Sequence, residues 1–513
     1  MSRVFIGIDS GTQSTKAVLV DGDTGAILAR HAVPCELLPS AIPGCKEQDP
    51  AGWVAALYAT VDRILEAVGA NRAAVAGIGV SGQQHGFVPL DAAGRVIRPA
   101  KLWCDTTTAA QCDTIIRRLG GADRTVALTG NPVLPGYTAS KILWLKEEEP
   151  EQFAKLATVL LPHDYLVTVL TGNFVMECGD ASGTAMMDVR ARTWCRDAVS
   201  AIDEHLASKL PPLAASNRPA GTLRGELANR WGLAPDVIVT GSGDNMMGAI
   251  GTGNVRQGLI TASFGTSGTI YACSDRPLVD PRHEVATFCD ATGRWLLLAC
   301  TMNVTVATEM VRRLFGWSHD ELSSAAASVP PGSDGLLLLP FFEGERTPNV
   351  PDGTGVWLGV RQVTCDAPHM ARAAMEGVTL GLNYGLNRLR EMGLSPTEIR
   401  LTGGGSRSAV WRQIAADVFD CPVVCLSQDE GAAFGAAIHA MWVWSHEREQ
   451  VAALAQLTDR FVTTDEATRA LPNGDTRRIY RNLQAIFDGA SRDLAPSFSQ
   501  HRRSLILPGP APR

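Results

Sequence analysis

Asp9 ends the short apolar run VFIGI at 4–8 and opens the polar turn DSGTQST, which leads into a second run, KAVLVD at 16–21. Two strands joined by such a turn aim backbone N–H groups and hydroxyls at one spot. A nest of this kind suits phosphate, and a carboxylate beside it can hold Mg²⁺ through water. Gly11, Thr12, Ser14, Thr15 and Lys16 are the candidate phosphate contacts, and Asp9 is the candidate metal anchor. An ordinary hairpin with a polar turn is the plainer alternative. It loses ground because the design returns about half a chain later in LITASFGTSGTIYAC at 259–273, where Gly265, Thr266 and Ser267 fill the turn.

Three further motifs carry chemistry. Asp244 in GSGDN lies at the end of the strand-like VIVTGSGD and at the start of the small-residue helix NMMGAIG. A carboxylate there is kept ionised by free helix N–H groups and can serve as a general base. It could equally cap the helix, and it is a second candidate metal ligand. SGQQHG at 81–86 and LWCD at 102–105 bring together Gln84, His85, Trp103 and Asp105, which offer the polar forks and flat face that a sugar needs. LTGGGSRS at 401–408 places Gly403, Gly404, Gly405 and Ser408 between a strand and a helix, where the backbone can approach a flat ligand such as adenosine.

The elements that must position these groups alternate β-type runs with helical stretches, the pattern of an α/β protein. A helix is expected over 50–68, a strand at 74–81 and a helix over 138–150. In the second half, helices are expected near 368–392, 409–419 and 431–440, with a strand at 398–406. The repeated hairpin indicates internal duplication. The expected fold is therefore α/β, with two duplicated actin-like (ribonuclease H-like) ATPase domains and a ligand cleft between them. Residues 1–252 form the first, 253–493 the second, and 494–513 a flexible tail.

Composition narrows the function. The chain has 513 residues, 45% hydrophobic and 19% charged, with net charge −7, so global disorder and a nucleic-acid partner are both disfavoured. No apolar run reaches membrane-spanning length, so no membrane partner is expected. The 12 cysteines form no CxxC pair and read as reduced thiols, which implies a cytoplasmic protein. None of the seven lysines follows a glycine, which removes a P-loop and leaves phosphate binding to the hairpins. A homodimer is compatible with the second half, though no apolar stripe demands one.

At these residues the chain resembles the FGGY family of carbohydrate kinases. GYTASKILWLKEE around Lys141 and GVWLGVRQVTCDAPHMARAAME at 355–376 are similar to the family's two signatures. The resemblance, covering about 4–445, implies ATP-dependent phosphorylation of a small-molecule ketose with Mg²⁺ as cofactor. The stretches GQQHG, LWCDTTTAAQC, LLPHDYL and EGERTPN are similar to members acting on D-xylulose, with O5 as the acceptor. The resemblance assigns His85, Asp244 and Asn245 to the sugar, with Asp244 as base. It places Gly404 and Gly405 against adenosine, with Ser408 where some relatives have Asn, and makes Trp317 an adenine-side aromatic. Gln84 stands where many members have Met, and Thr106–Thr108 follow Asp105 where an Arg is common. These departures leave room for L-ribulose, gluconate or glycerol as acceptor. An actin-like ATPase without a sugar acceptor is the reading from another class.

Overall fold

The computed structural model describes residues 3–69, 71–428, 431–448 and 453–505. The chain divides into two compact units that interleave along the sequence. Unit 1 comprises Met1–Arg256, Cys273–Leu296 and Glu430–Thr463, and unit 2 comprises Gln257–Ala272, Leu297–Asp429 and Thr464–Arg513.

Unit 1 is built on six strands: β1 (Val4–Ser10), β2 (Ser14–Asp21), β3 (Ile27–Pro34), β4 (Val75–Gly82), β5 (Gly221–Thr222) and β6 (Ile238–Gly243). They run in the order β5-β6-β4-β1-β2-β3. β1 and β2 form the expected hairpin, and β1, β4 and β6 are parallel. β4 is buried throughout and β1 nearly so, as strands covered on both faces must be. Helix α1 (Pro50–Leu65) starts at the Asp49 cap, with Pro50 in its first turn, and buries Trp53, Leu57, Val61 and Ile64 on one face.

Helices α2 (Thr138–Glu148), α3 (Pro162–Thr171), α4 (Cys178–Ala181) and α5 (Asp244–Gly251) follow in unit 1. The helix over 431–446, labelled α10 below, packs on the sheet with backbone against backbone. A Cβ at Gly7 would lie 1.9 Å from the Ala433 carbonyl oxygen, and one at Gly79 would lie 1.9 Å from that of Ala436. Only glycine permits that approach.

Unit 2 repeats the plan. Its strands are β7 (Leu259–Phe264), β8 (Gly268–Ser274), β9 (Trp295–Thr301), β10 (Glu398–Thr402), β11 (Val423–Leu426) and β12 (Thr464–Ala470). They are six of the seven strands of one sheet and run in the order β9-β8-β7-β10-β11-β12. Again a hairpin, β7–β8, is followed by two parallel neighbours and an antiparallel edge strand. The duplication legible in two short turns thus extends to the order and direction of the strands.

The helices of unit 2 are α6 (Thr305–Leu314), α7 (His319–Ala327), α8 (Ala367–Glu391), α9 (Ala409–Phe419) and α11 (Arg477–Leu505), and α10 (Gly431–His446) lies in unit 1. Residues 494–505, expected in the flexible tail, continue α11, where Phe498 is buried against Phe341. Residues 506–513 lie outside the described residues.

The two family-like signatures supply internal ties. The buried Lys141 ammonium donates to the carbonyls of Pro135, Gly136 and Tyr137 at 2.9, 2.5 and 3.1 Å, and burial pulls its pKa down to about 7. Glu376 accepts from Arg372 Nε at 2.7 Å, Tyr480 Oη at 2.8 Å and the Gly332 N–H at 3.0 Å.

Candidate active site

In unit 1 the candidate residues collect where three parallel strands end. Asp9, Ser81 and Ser242 lie side by side in the ladder, and each chain then turns into a loop or helix that carries a polar side chain. Sites at the carboxyl ends of parallel strands are the rule in open α/β sheets. Ser81 Oγ donates to Asp9 Oδ1 at 2.8 Å. From β4 the chain passes to Gln83, Gln84 and His85, and from β6 it enters α5 at Asp244 and Asn245.

Asp244 keeps some solvent contact yet is packed deeply. The helix N–H groups do not keep it ionised as expected: burial first, then the Asp9 and Asp180 carboxylates, push its pKa up to about 7. Such a group is half ionised near neutrality and can take a proton there. The negative charge gathered from Asp9 and Asp244 fits a divalent cation, which would relieve their repulsion.

Asn245 Nδ2 donates to Asp244 Oδ1 at 2.8 Å and to Gln84 Oε1 at 2.7 Å. With that oxygen engaged, buried Gln84 Nε2 has no partner among the described residues. A buried donor without an acceptor is costly, and a ligand oxygen is the natural remedy.

His85 sits at φ +60° and packs edge-on against Tyr137, with ring centroids 4.9 Å apart, and against Phe288 at 5.1 Å. Its backbone N–H donates to Asp180 Oδ1 at 3.1 Å, and its Nδ1 lies 2.8 Å from the same oxygen.

The first hairpin turn is held from below. Thr12 Oγ1 donates to Gln83 Oε1 at 3.2 Å and accepts from Trp103 Nε1 at 3.0 Å, while its carbonyl accepts from Gln48 Nε2 at 2.7 Å. Gly11 N–H closes the turn on the Ser14 carbonyl at 3.0 Å, and Thr15 Oγ1 meets Ser10 Oγ at 3.1 Å. Lys16 stands exposed, opposite Asp9 in the ladder.

Asp105 is occupied elsewhere. Its two oxygens accept from the Lys46 N–H, Lys101 Nζ, the Thr107 N–H and Thr107 Oγ1, and its pKa falls because these bonds and Lys101 outweigh its burial. Cys45, Glu47 and Asp105 form a metal-like group of donors, but Lys101 Nζ already lies 3.1 Å from Glu47 and 3.2 Å from Asp105.

In unit 2, Gly404, Gly405 and Ser408 line a cavity of about 540 Å³, together with Thr305, Thr308, Ser323 and Trp411. This is the size of small-ligand pockets. Gly403 is set back, since a Cβ there would lie 2.7 Å from the Phe264 backbone. Ser408 caps α9 and meets Ser323 Oγ at 3.0 Å. The second hairpin turn is pinned to α6: the Val304 and Thr305 N–H groups donate to the Thr266 and Gly265 carbonyls, each at 3.0 Å. Thr266 is exposed and Ser267 half-buried. Trp317 stacks on Phe315 at 5.1 Å and is not among the residues lining this cavity.

Sequence reasoning assigned no role to the groups behind His85. Asp180, His163, Glu177 and Asp164 come from PHDY and ECGDASG, where the signal was three carboxylates and a histidine among otherwise small or apolar residues.

A duplicated α/β plan with a hairpin in each copy, a base-like Asp and a glycine-lined cavity defines a class of phosphotransferase. Residues 4–251 match the N-terminal domain of the FGGY family of carbohydrate kinases, and residues 260–444 match its C-terminal domain. The chain belongs to this family. It is 40% identical to the xylulose kinase of Haemophilus influenzae, covering 93% of this chain and 97% of that one. It is 34% identical to the xylulose kinase of Escherichia coli, with coverage of 94% and 99%. The solved xylulose kinase of Rhodospirillum rubrum superposes with a TM-score of 0.88 at 29% identity, over 97% of this chain and all of that one.

Proposed function

We propose that this kinase transfers the γ-phosphoryl group of ATP to O5 of D-xylulose, with Asp244 as the general base. The acceptor is read from the similarity to xylulose kinases over nearly the whole chain. The observation that carries the base assignment is the Asp244 carboxyl, poised near neutrality at a strand end beside Asn245 and Gln84, whose Nε2 has no partner among the described residues.

In the reaction, O5 forms a bond to the γ-phosphorus, the bond to the β-bridging oxygen breaks, and ADP leaves with that electron pair. Asp244 takes the O5 proton. Gln84, His85 and Asn245 hold the ketose, with Trp103 and Asp105 supporting the adjoining loop. Gly404, Gly405 and Ser408 receive the adenosine. The Gly11–Lys16 and Gly265–Ser267 turns offer N–H groups to the phosphates, as a site without a P-loop lysine requires. Mg²⁺ when bound would be held by Asp9 through water and by Asp244, and it would neutralise phosphate charge. On this reading residues 1–252 supply the sugar contacts and the first phosphate hairpin, and 253–493 the rest of the ATP site. The reduced thiols and the need for ATP fit a cytoplasmic enzyme.

The test is ADP release by the purified protein with D-xylulose, L-ribulose, gluconate and glycerol in turn. D-Xylulose is expected to give the highest kcat/KM. A higher value for another acceptor would move the assignment to that sugar, and release indifferent to all four would remove the sugar-kinase reading.

A further inference from the structure

Behind the strand ends runs a buried string of ionisable groups for which the phosphoryl transfer has no direct use. Asp180 Oδ1 accepts the His85 backbone N–H at 3.1 Å and lies 2.8 Å from His85 Nδ1 as an ion-pair contact. Its other oxygen lies 3.3 Å from His163 Nδ1. His163 Nε2 lies 3.0 Å from Asp164 Oδ1 and 3.7 Å from Glu177 Oε2. Glu177 caps α4, accepts from Ser216 Oγ, and accepts from Ser242 Oγ at 2.9 Å. Ser242 stands on β6 two residues before Asp244. The string therefore joins the loop that bears His85 to the strand that delivers the base.

Packing alone fixes where the His85 ring is. A Cβ at Gly183 would lie 1.8 Å from His85 Cε1, and Tyr137 and Phe288 close on the ring. Packing does not fix which ring nitrogen carries the proton. An ionised carboxylate 2.8 Å from Nδ1 favours the proton on that nitrogen through its charge. That requires Asp180 to stay ionised in a buried place, which burial opposes and His85 and His163 together reverse, holding its carboxyl well below the usual range.

His163 is the hub. The charged groups facing it are Asp164 on its own helix, Glu177 and Asp180 from α4 and its cap, and His85 beyond Asp180. Burial works against its charge, but Asp164 and Asp180 outweigh burial and hold its pKa well above the ordinary histidine value.

We propose that His163 is a positioning residue for the acceptor: it holds Asp180 against His85 and Glu177 against Ser242, and so orients the sugar-facing imidazole and the strand end before Asp244. The proposal rests on the sugar-kinase reading above.

The test is a mutant cycle read in the KM for the ketose. His163→Leu should raise that KM about tenfold, the coupling expected of contacting residues, and leave the KM for ATP unchanged. His163→Asn, which keeps a donor toward Asp180, should recover part of the loss. In a His85→Asn background, chosen because Asn tolerates positive φ, His163→Leu should add almost nothing. An equal rise in both backgrounds overturns the proposal, as does a fall in melting temperature with no change in ketose KM. If His163→Leu does not fold, the same cycle run with His163→Asn decides. Wild-type protein that neither binds a ketose by calorimetry nor releases ADP with one defeats the acceptor reading itself, a different outcome from additivity.

Discussion

At the scale of single residues, Asp244 carries two opposed consequences. As the proposed base, with a pKa of about 7 in the metal-free protein, it should make kcat/KM for the acceptor fall with decreasing pH, and bound Mg²⁺ should move that limb below about 7. The same shift costs stability. The native carboxyl binds its proton more tightly than an unfolded one, so stability is fully present below about 4 and declines as pH rises to about 7. Asp244→Asn should therefore lower kcat at least about a hundredfold. It should also leave nucleotide binding intact and raise the melting temperature of chelator-treated protein at pH 8, but not at pH 4. Gln84 makes a separate prediction. An unmet buried donor costs about 1–3 kcal/mol, so Gln84→Met should reduce discrimination against a deoxy analogue lacking the paired hydroxyl by about tenfold, seen in kcat/KM ratios. Both residues were legible in the sequence because each sits in a short motif at a strand end. The His163–Asp180–Glu177 group was not, because Asp180 meets His85 across 95 residues of chain, and no local pattern announces so distant a contact.

At the scale of elements, the helices and strands that bear the site follow their local signals closely. α9 spans 409–419 as its pattern predicts, and α1 ends at Leu65 only because its last turn tightens into the 3₁₀ segment Glu66–Val68. α10 runs to His446, beyond the expected 440, because apolar and aromatic residues continue its buried face through Trp442 and Val443. Its contact with the sheet was not legible, since a run of small residues states that something approaches closely without naming what. The contact leaves no room for a methyl group at Gly79. Gly79→Ala must shift α10 or the strand, and it should cost about 2 kcal/mol or more, measured by chemical unfolding. The same substitution at Gly404, where a Cβ meets nothing within 4 Å, should leave stability unchanged and act, if at all, on the KM for ATP.

At the scale of the whole molecule, the two hairpin turns were enough to expose a duplicated plan, because both copies need the same backbone geometry to present N–H groups. What they could not expose is that the halves are not sewn separately. α10 follows the last β-strand of the second plan's parallel series in sequence, yet it belongs to the first unit and covers β1 and β4. A nascent chain that has released residues 1–256 has every strand of its first sheet but lacks the helix that covers it. Until residues 431–446 have been made, that glycine-lined surface must wait bare or be shielded by a chaperone. A fragment of residues 1–256 made alone should accordingly aggregate, and co-expression with residues 257–513 should return it to the soluble fraction. Early termination or proteolytic nicking ahead of α10 would then remove the cover of the first unit's sheet rather than trim an accessory end. A helix made after most of the second plan is thus what completes the first.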